Sequence, residues 1–386
     1  MIRTRAKFRA APWAALLMAL ALLLAACGGD GGGADTEGGD TGTEEAADAT
    51  EGEDTGADEA TEGEEATEGG GPYRIGISNG FVGSEWRTQM IDNLETAAEE
   101  YGDKIEELVI ESADVDVNGQ IQQVRNLISA GVDAIIINPN SPTALDAVFA
   151  EAEQQGIVVV ATDQAVESQS VINVVIDQAE WGRVSAEWLA EKLGEGAKIV
   201  AVNGIAGHPA NEARWGAAQE VFNEAGIEVL AVANGNWDQA TGQQVMSDLL
   251  ATYPDLDGVW TQDGMAEGVY RALEAAGRLD EVQPTGEARV GYMRLWADNP
   301  DFDTIGVVNP PGAAVAALHV AVALLDGHEI DESKLENGNT LHLPIPEFVT
   351  SENFDEVWAE VQDKPDTYSV DEILTREEVL EAYFTE

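Results

Sequence analysis

The feature that most constrains the fold is the segment 198–216, which reads KIVAVNGIAGHPANEARWG. It begins with apolar residues typical of a buried strand, is broken by glycines, and continues after a proline with residues that favour a helix. In an open α/β sheet, ligands bind at the carboxyl ends of the strands. The loop carrying His208, Asn211 and Arg214 is therefore predicted to face a cleft. The alternative is that Arg214 lies on a solvated helix face.

From residue 73 onward, strand-like and helix-like segments alternate. Nine apolar runs are predicted as strands: 74–78, 105–110, 133–138, 157–161, 171–176, 198–202, 227–233, 258–261 and 304–308. Continuous apolar runs are typical of parallel strands covered on both faces. About 315 residues exceed what one core usually carries. The predicted fold class is α/β, with two doubly wound parallel-sheet lobes and a first crossing near Asp177 and Gln178.

The N-terminus has the pattern of an export signal. Four basic residues among the first nine precede an apolar run, residues 14–26, which is too short to span a bilayer. The Leu-Ala-Ala-Cys sequence ending at Cys27 resembles the lipobox of bacterial lipoproteins, which implies that Cys27 becomes the first mature residue and carries a membrane-anchoring lipid. An ordinary secretory peptide with an incidental cysteine is the alternative. Cys27 is the only cysteine, so no intramolecular disulfide is possible.

Residues 28–71 form a segment of unusual composition. They include 16 acidic residues and no basic, aromatic or branched aliphatic residue. Such a segment cannot bury enough apolar surface to offset chain entropy, so it is predicted to be a disordered acidic tether.

The formal net charge of −54 divides into +4 in residues 1–27, −16 in residues 28–71 and, by difference, −42 in the remainder. A domain this acidic repels nucleic acid and anionic substrates. The charge therefore argues against a nucleic-acid partner and favours a neutral ligand. A saline habitat is the alternative origin of the acidity.

Few motifs in the chain indicate catalysis or metal binding. The D-x-D-x-N-G run from Asp114 begins like a calcium loop, but Arg125 stands at its twelfth position, where glutamate is required. A strand-to-helix loop with a capping residue is predicted there instead. The histidines lack metal-ligand spacing, and neither a metal nor a cofactor is predicted. The enzyme alternative is a glycosidase that uses Asp163 with Asp263 or Glu287.

Polar and aromatic side chains follow most of the predicted strands. Carboxylates accept hydroxyl protons, Arg and Asn donate to hydroxyl oxygens, and Trp offers a flat face to the C–H groups of a sugar ring. These residue types predict a site for a neutral polyol; for most of the nine tryptophans, core packing is the alternative. The candidate ligand-binding residues are Phe81, Trp86, Arg87, Asp163, Gln164, Asn211, Arg214, Trp237, Asp263, Glu287 and Asn309.

The order and spacing of these residues resemble the periplasmic sugar-binding proteins of ABC transporters, in the ribose-type branch of the type I family. The resemblance covers residues 73–327 and is strongest in the segment 198–216, the Ile-Asn-Pro strand end at 137–139 and the pair Thr162-Asp163. Departures are Gln164, Asp263 and Glu287, where the ribose pattern has Arg, Asn and Asp. The Glu-Trp-Arg run at 85–87 is closer to galactofuranose-type members.

The resemblance implies roles for the candidate residues. It assigns hydroxyl binding to Asp163 and Arg214, a ring sandwich to Trp86 and Trp237, and the second-lobe side of the site to Asp263 and Glu287.

The resemblance also implies two lobes joined by three crossings. The predicted first lobe comprises residues 72–177 and 309–337, and the second 178–308 and 338–386. The predicted protein is a lipid-anchored, extracytoplasmic monomer. It is not an enzyme, and it captures a neutral sugar or polyol between its lobes and delivers it to an ABC transporter permease. A sensory receptor with the same ligand is the alternative.

Overall fold

The computed structural model describes residues 70–385, so the predicted signal peptide, Cys27 and nearly all of the predicted tether lie outside the described residues. The strands are β1 Tyr73–Asn79, β2 Ile105–Ser112, β3 Ala134–Asn138, β4 Val158–Thr162, β5 Ile172–Val175, β6 Lys198–Asn203, β7 Glu228–Asn234, β8 Gly258–Thr261, β9 Gln283–Pro284, β10 Gly286–Glu287, β11 Gly306–Val307 and β12 Thr340–His342. The helices are α1 Glu85–Glu100, α2 Val117–Ala130, α3 Asp146–Gln154, α4 Gln178–Leu193, α5 Pro209–Glu224, α6 Gln239–Thr252, α7 Ala266–Ala276, α8 Val290–Asp298, α9 Ala313–Leu325, α10 Phe354–Val361 and α11 Arg376–Tyr383.

Six strands form a parallel sheet in the order β12-β5-β4-β3-β1-β2. The central strands are covered on both faces, and Ile75, Ile136 and Val160 are fully buried. Helix α9, almost entirely Ala, Val and Leu, packs against β3, β4 and β5. The helix covers one face of the sheet and is itself covered by α1 and α11. It is therefore buried on nearly all sides, as its apolar sequence requires. We call β1–β5, β12, α1–α3, α9 and α11 the first lobe.

A second parallel sheet has the order β7-β6-β8-β9, and β10, which follows β9 after Thr285, pairs with β11. Helices α4 and α5 pack together on one side, and α6 packs against α7. Trp260 of β8 is fully buried, and its indole Nε1 donates to the Ser185 hydroxyl of α4 at 2.9 Å. We call β6–β11, α4–α8 and α10 the second lobe. The two parallel sheets and their helices confirm the predicted α/β fold class.

The C-terminal segment differs from the prediction that residues 338–386 belong to the second lobe. Strand β12 pairs with β5 in the first lobe, and α11 packs against α9. Between them, Val349 bridges to Gly306 and α10 contributes Phe354 to the core of the second lobe. The prediction is wrong for β12 and α11, because β12 completes the edge of the six-stranded sheet. The chain therefore returns to the first lobe once more after the three predicted crossings.

The loop that resembles a calcium site is a helix start, as predicted. The Asp116 carboxylate accepts a hydrogen bond from the Gly119 backbone N–H at 2.9 Å, which caps α2. Across residues 70–385, no group of three or more acidic, histidine or cysteine side chains could hold a metal ion. The helices described in this range are too short or too polar to cross a bilayer.

Candidate functional site

A cavity of about 250 Å³ opens between the carboxyl ends of the two sheets. The first lobe contributes the residues that follow β1, β3 and β4, and the second lobe those that follow β6, β7 and β8. This is where ligands bind in open α/β sheets. Eight of the eleven predicted residues line the cavity: Phe81, Trp86, Arg87, Asp163, Arg214, Trp237, Asp263 and Asn309.

Each lobe places one arginine–aspartate pair at the cavity. In the first lobe, Arg87 Nη2 lies 3.8 Å from Asp163 Oδ2, and both side chains are buried. In the second lobe, Arg214 of α5 forms an ion pair with Asp263, and the arginine side chain is only 1% exposed. The arginines lie on the helices that follow β1 and β6, and the aspartates follow β4 and β8. The two lobes thus present equivalent donor–acceptor pairs to the same cavity.

The Asp163 carboxylate is held by further donors. Asn138 donates to Oδ2 at 3.1 Å, and Gln178 donates to Oδ1 at 3.3 Å. Arg87 is in turn fixed by a 3.0 Å bond from its Nη1 to the Asn79 side-chain oxygen. A carboxylate with such partners is preorganised, so it needs little reorganisation to accept a ligand hydroxyl.

The backbone at the cavity has an uncommon conformation. Asp163, Trp237 and Asp263 have φ values of 65°, 54° and 43°, and Asn236 has 56°. These are four of the five non-glycine residues with positive φ among residues 70–385. Such conformations cost of order 1–3 kcal/mol and cluster at functional sites. Their concentration around one cavity supports a binding role for it.

Three aromatic side chains form the apolar part of the lining. Trp86 Nε1 donates to the backbone oxygen of Asn309 at 2.7 Å, and Trp237 Nε1 donates to Gln262 at 3.1 Å. Phe81, two residues after the end of β1, also lines the cavity. Hydrogen bonds of their N–H groups therefore fix both indole rings at the cavity lining. That they sandwich a sugar ring stays a prediction.

Three predicted residues lie behind the lining. Gln164 donates toward Asn138 at 3.3 Å and Asp163 at 3.4 Å. Asn211 accepts from the Gly204 backbone N–H at 2.7 Å. Glu287 is buried with its carboxylate 3.2 Å from Arg289. Burial raises the pKa of Glu287 to about 8, against the opposing effect of Arg289. These residues support the lining rather than form it.

Arg289 and His208 also line the cavity; Arg289 was not predicted there, whereas His208 belongs to the loop predicted to face the cleft but was not among the candidate ligand-binding residues. Arg289 stands two positions after Glu287 and lies 3.2 Å from its carboxylate, and no local sequence pattern indicates which of the two side chains lines the cavity. His208 precedes α5, and its ring packs edge-on against Trp237 at a centroid distance of 4.7 Å. Burial lowers the pKa of His208 to about 4, so the ring is neutral at neutral pH.

The site offers hydrogen-bond donors, acceptors and aromatic faces. Glu287, the carboxyl group whose pKa is raised to about 8, does not line the cavity. A glycosidase needs a protonated carboxyl group at the scissile bond, next to a second carboxylate. The placement of Glu287 therefore does not support the glycosidase alternative in which it participates.

A family model described as a periplasmic binding protein domain matches residues 75–329. The chain is 31% identical over 247 residues to the ribose import binding protein of Salmonella typhimurium, covering 62% of this chain and 81% of that protein. It is 32% identical over 233 residues to the xylitol-binding protein of Mycolicibacterium smegmatis, covering 58% and 65%.

Solved structures show the same architecture. An ABC transporter solute-binding protein from Thermobispora bispora has a TM-score of 0.70 and 26% identity, covering 80% of this chain and 94% of that chain. A solute-binding protein from Bacillus halodurans with bound myo-inositol has a TM-score of 0.64 and 27% identity, covering 76% and 99%.

Proposed function

Because the chain belongs to the periplasmic binding protein domain family, we propose that it captures a neutral sugar or polyol between its two lobes. The observation that supports this most directly is the pair of equivalent ion pairs, Arg87–Asp163 and Arg214–Asp263, at one cavity. Each pair can donate to one hydroxyl and accept from a neighbouring one. A ligand with hydroxyls at both ends satisfies both pairs at once.

The charges at the cavity favour a neutral ligand. Arg87 and Arg214 are each paired with an aspartate, and Arg289 is paired with Glu85 at 3.5 Å. No unpaired arginine among the described lining residues is therefore left for an anionic ligand. A cavity of about 250 Å³ suits a monosaccharide or a polyol of similar size.

The named relatives are binding proteins and not enzymes, which confirms the prediction that this chain is not an enzyme. Their family is extracytoplasmic. Delivery of the ligand to an ABC transporter permease, anchoring through lipid on Cys27 and a monomeric state are part of the proposal. The Leu-Ala-Ala-Cys run supports the anchor, and the relatives support the transporter.

The experiment that tests the proposal is a thermal-shift screen of the full chain. The panel contains D-ribose, xylitol, myo-inositol, D-galactose, D-glucuronate and glycine. A ligand at a hundred times its Kd stabilises a protein by about 2.7 kcal/mol. We expect at least one neutral polyol to raise the unfolding temperature of the parent and to raise that of Asp163→Asn less. Stabilisation by glucuronate or glycine alone would contradict the proposal.

A further inference from the structure

The first crossing between the lobes carries a buried glutamine that touches both halves of the site. Gln178 is the first residue of α4 and follows the capping residue Asp177. Its Nε2 donates to Asp163 Oδ1 at 3.3 Å and to the Asp163 backbone oxygen at 3.2 Å. Its Oε1 accepts from Arg214 Nε at 2.7 Å. One side-chain amide therefore joins the aspartate of the first lobe to the arginine of the second.

Helix α4 also contacts the guanidinium group and the backbone of Arg214. Its guanidinium stacks on the Trp181 ring at 4.2 Å, and its backbone packs so closely on Gly182 that an added Cβ there would lie 2.2 Å from the Arg214 oxygen. Positions 178, 181 and 182 lie on one helix face. Helix α4 thus presents one surface to Arg214, and Gln178 is the part of that surface which also reaches the first lobe.

Other side chains do not make this connection. Among the described residues, the polar partners of the Asp163 carboxylate besides Gln178 are Asn138, Gln164 and Arg87, and none of these bonds to Arg214. The other polar partner of Arg214 is Asp263. Gln178 is therefore the shared partner of the two groups.

We propose that Gln178 is a positioning residue that couples the Asp163 side of the site to the Arg214 side. It does not line the cavity, so it acts through these two residues. The ligand part of this inference rests on the proposed function. The coupling itself does not, because the contacts are within the protein.

The chemistry of the amide gives a specific test. Glutamine donates and accepts at once, ionised glutamate only accepts, and protonated glutamic acid again does both. In Gln178→Glu, the new carboxyl group would face Asp163, and two buried carboxyl groups in contact share a proton that is lost only at raised pH. The other charged groups nearby are Arg87, Arg214 and Asp263. His208, with a pKa of about 4, stays neutral above pH 5.5.

The binding experiment measures Kd for D-ribose, xylitol and myo-inositol by calorimetry at pH 5.5 and pH 8. We expect Gln178→Leu to bind at least tenfold more weakly than the parent at both pH values. Gln178→Glu should stay within threefold of the parent at pH 5.5 and lose at least tenfold at pH 8. Tight binding by Gln178→Leu, or a Kd of Gln178→Glu that does not depend on pH, would overturn the proposal.

The matched control is Asn173→Asp, another buried amide changed to a carboxyl group. Asn173 bonds to Val166 and Thr340, away from both pairs. The Asn173→Asp variant should have a lower free energy of unfolding at high pH and an unchanged Kd. This control separates a loss of stability from a loss of positioning.

A second measurement needs no ligand. The Nε–H signal of Arg214 is followed by ¹H–¹⁵N spectroscopy and assigned from its loss in Arg214→Lys. Asp163→Asn should shift this signal in the parent and much less in the Gln178→Leu background, because the connection is gone. Equal shifts in both backgrounds would contradict the coupling. If no probe binds the parent, the proposed ligand class fails, and this measurement still decides the role of Gln178.

Discussion

Nε2 of Gln164, at the end of β4 in the first lobe, lies 3.0 Å from Nε2 of His208, which precedes α5 in the second. The neutral imidazole accepts this bond, so the lobes are joined by a polar contact across the cleft. The other ring nitrogen of His208, Nδ1, is buried and has no hydrogen-bond partner among the described residues. His208 is therefore a group whose protonation state affects both stability and the site.

We expect His208 to make stability depend on pH. Its pKa is lowered from 6.5 to about 4 by burial, so between these values the unfolded chain binds a proton that the folded chain does not. The free energy of unfolding should therefore fall as the pH is lowered from 6.5 to 4, by on the order of 2 kcal/mol from this group. His208→Gln should flatten this dependence in urea unfolding measured across that range.

His319 provides the matched control. Burial also lowers its pKa to about 4, but it lies on α9 and bonds to Tyr101 away from the cleft. His319→Gln should flatten the pH dependence without changing ligand affinity, whereas His208→Gln should change both. An unaltered pH dependence in His208→Gln would mean that the buried ring is not neutral.

Glu287 should make the protein less stable as the pH rises, which is the opposite of the effect of His208. Its pKa is raised from 4.5 to about 8, so between these values the unfolded chain releases a proton that the folded chain retains. The contribution of this group to stability is therefore lost as the pH rises from 4.5 to 8. Glu287→Gln keeps the side chain neutral in both states. It should be more stable than the parent at pH 8, by about 2 kcal/mol or more, and similar to it at pH 4.5.

The same variant tests where Glu287 acts. Because its side chain lies behind the lining, Glu287→Gln should change Kd by less than about threefold at pH 6, the equivalent of about 0.6 kcal/mol. A tenfold loss measured by calorimetry would place the carboxyl group in contact with the ligand, as the sequence predicted.

Asp163→Asn should weaken ligand binding at least about tenfold, equivalent to 1.4 kcal/mol. The asparagine keeps the shape but replaces one acceptor with a donor, and charge-assisted bonds to the ligand are lost. Calorimetry with the neutral polyol from the screen measures the effect. Unchanged affinity would remove Asp163 from the site.

Cys27→Ser should release the protein from the membrane fraction, because two or more acyl chains are needed for stable anchoring and the serine cannot carry the lipid. Fractionation of cells that express the parent and the variant measures this. A variant that stays with the membrane like its parent would show that Cys27 is not the anchor.

Much of the fold could be predicted because its signals are local. All nine predicted strands form, with bounds within two residues of the prediction, since each is a continuous apolar run next to a glycine or a polar turn. Strands β9, β10 and β12 have only two or three residues, which is too few to show a pattern of apolar residues from which a strand could be predicted. Which sheet β12 joins depends on the free edge of β5, which is a tertiary property.

The parts of the candidate site that could be predicted are also those that depend on local signals, namely the positions of residues at the ends of strands. The ends of parallel strands meet at one edge, so Asp163 and Asp263 could be expected at the cavity from their positions alone. Whether Glu287 or Arg289 faces the ligand depends on how the chain turns after β10, and the sequence does not encode that rotation in any local pattern. The link through Gln178 depends on contact between lobes.

The division of the C-terminal segment between the lobes has a consequence for the order in which the chain assembles as it is synthesised. The four-stranded sheet uses residues 198–284 in one continuous stretch, so its strands are all present before the last hundred residues have emerged. The six-stranded sheet must wait for α9 to cover it and for β12 to complete its edge. Pairings between residues so distant in sequence form slowly. The first lobe begins the described sequence with strands β1–β5, but it is completed only by α9 and β12. We therefore expect its half of the cleft to reach the native structure after the half formed by the second lobe.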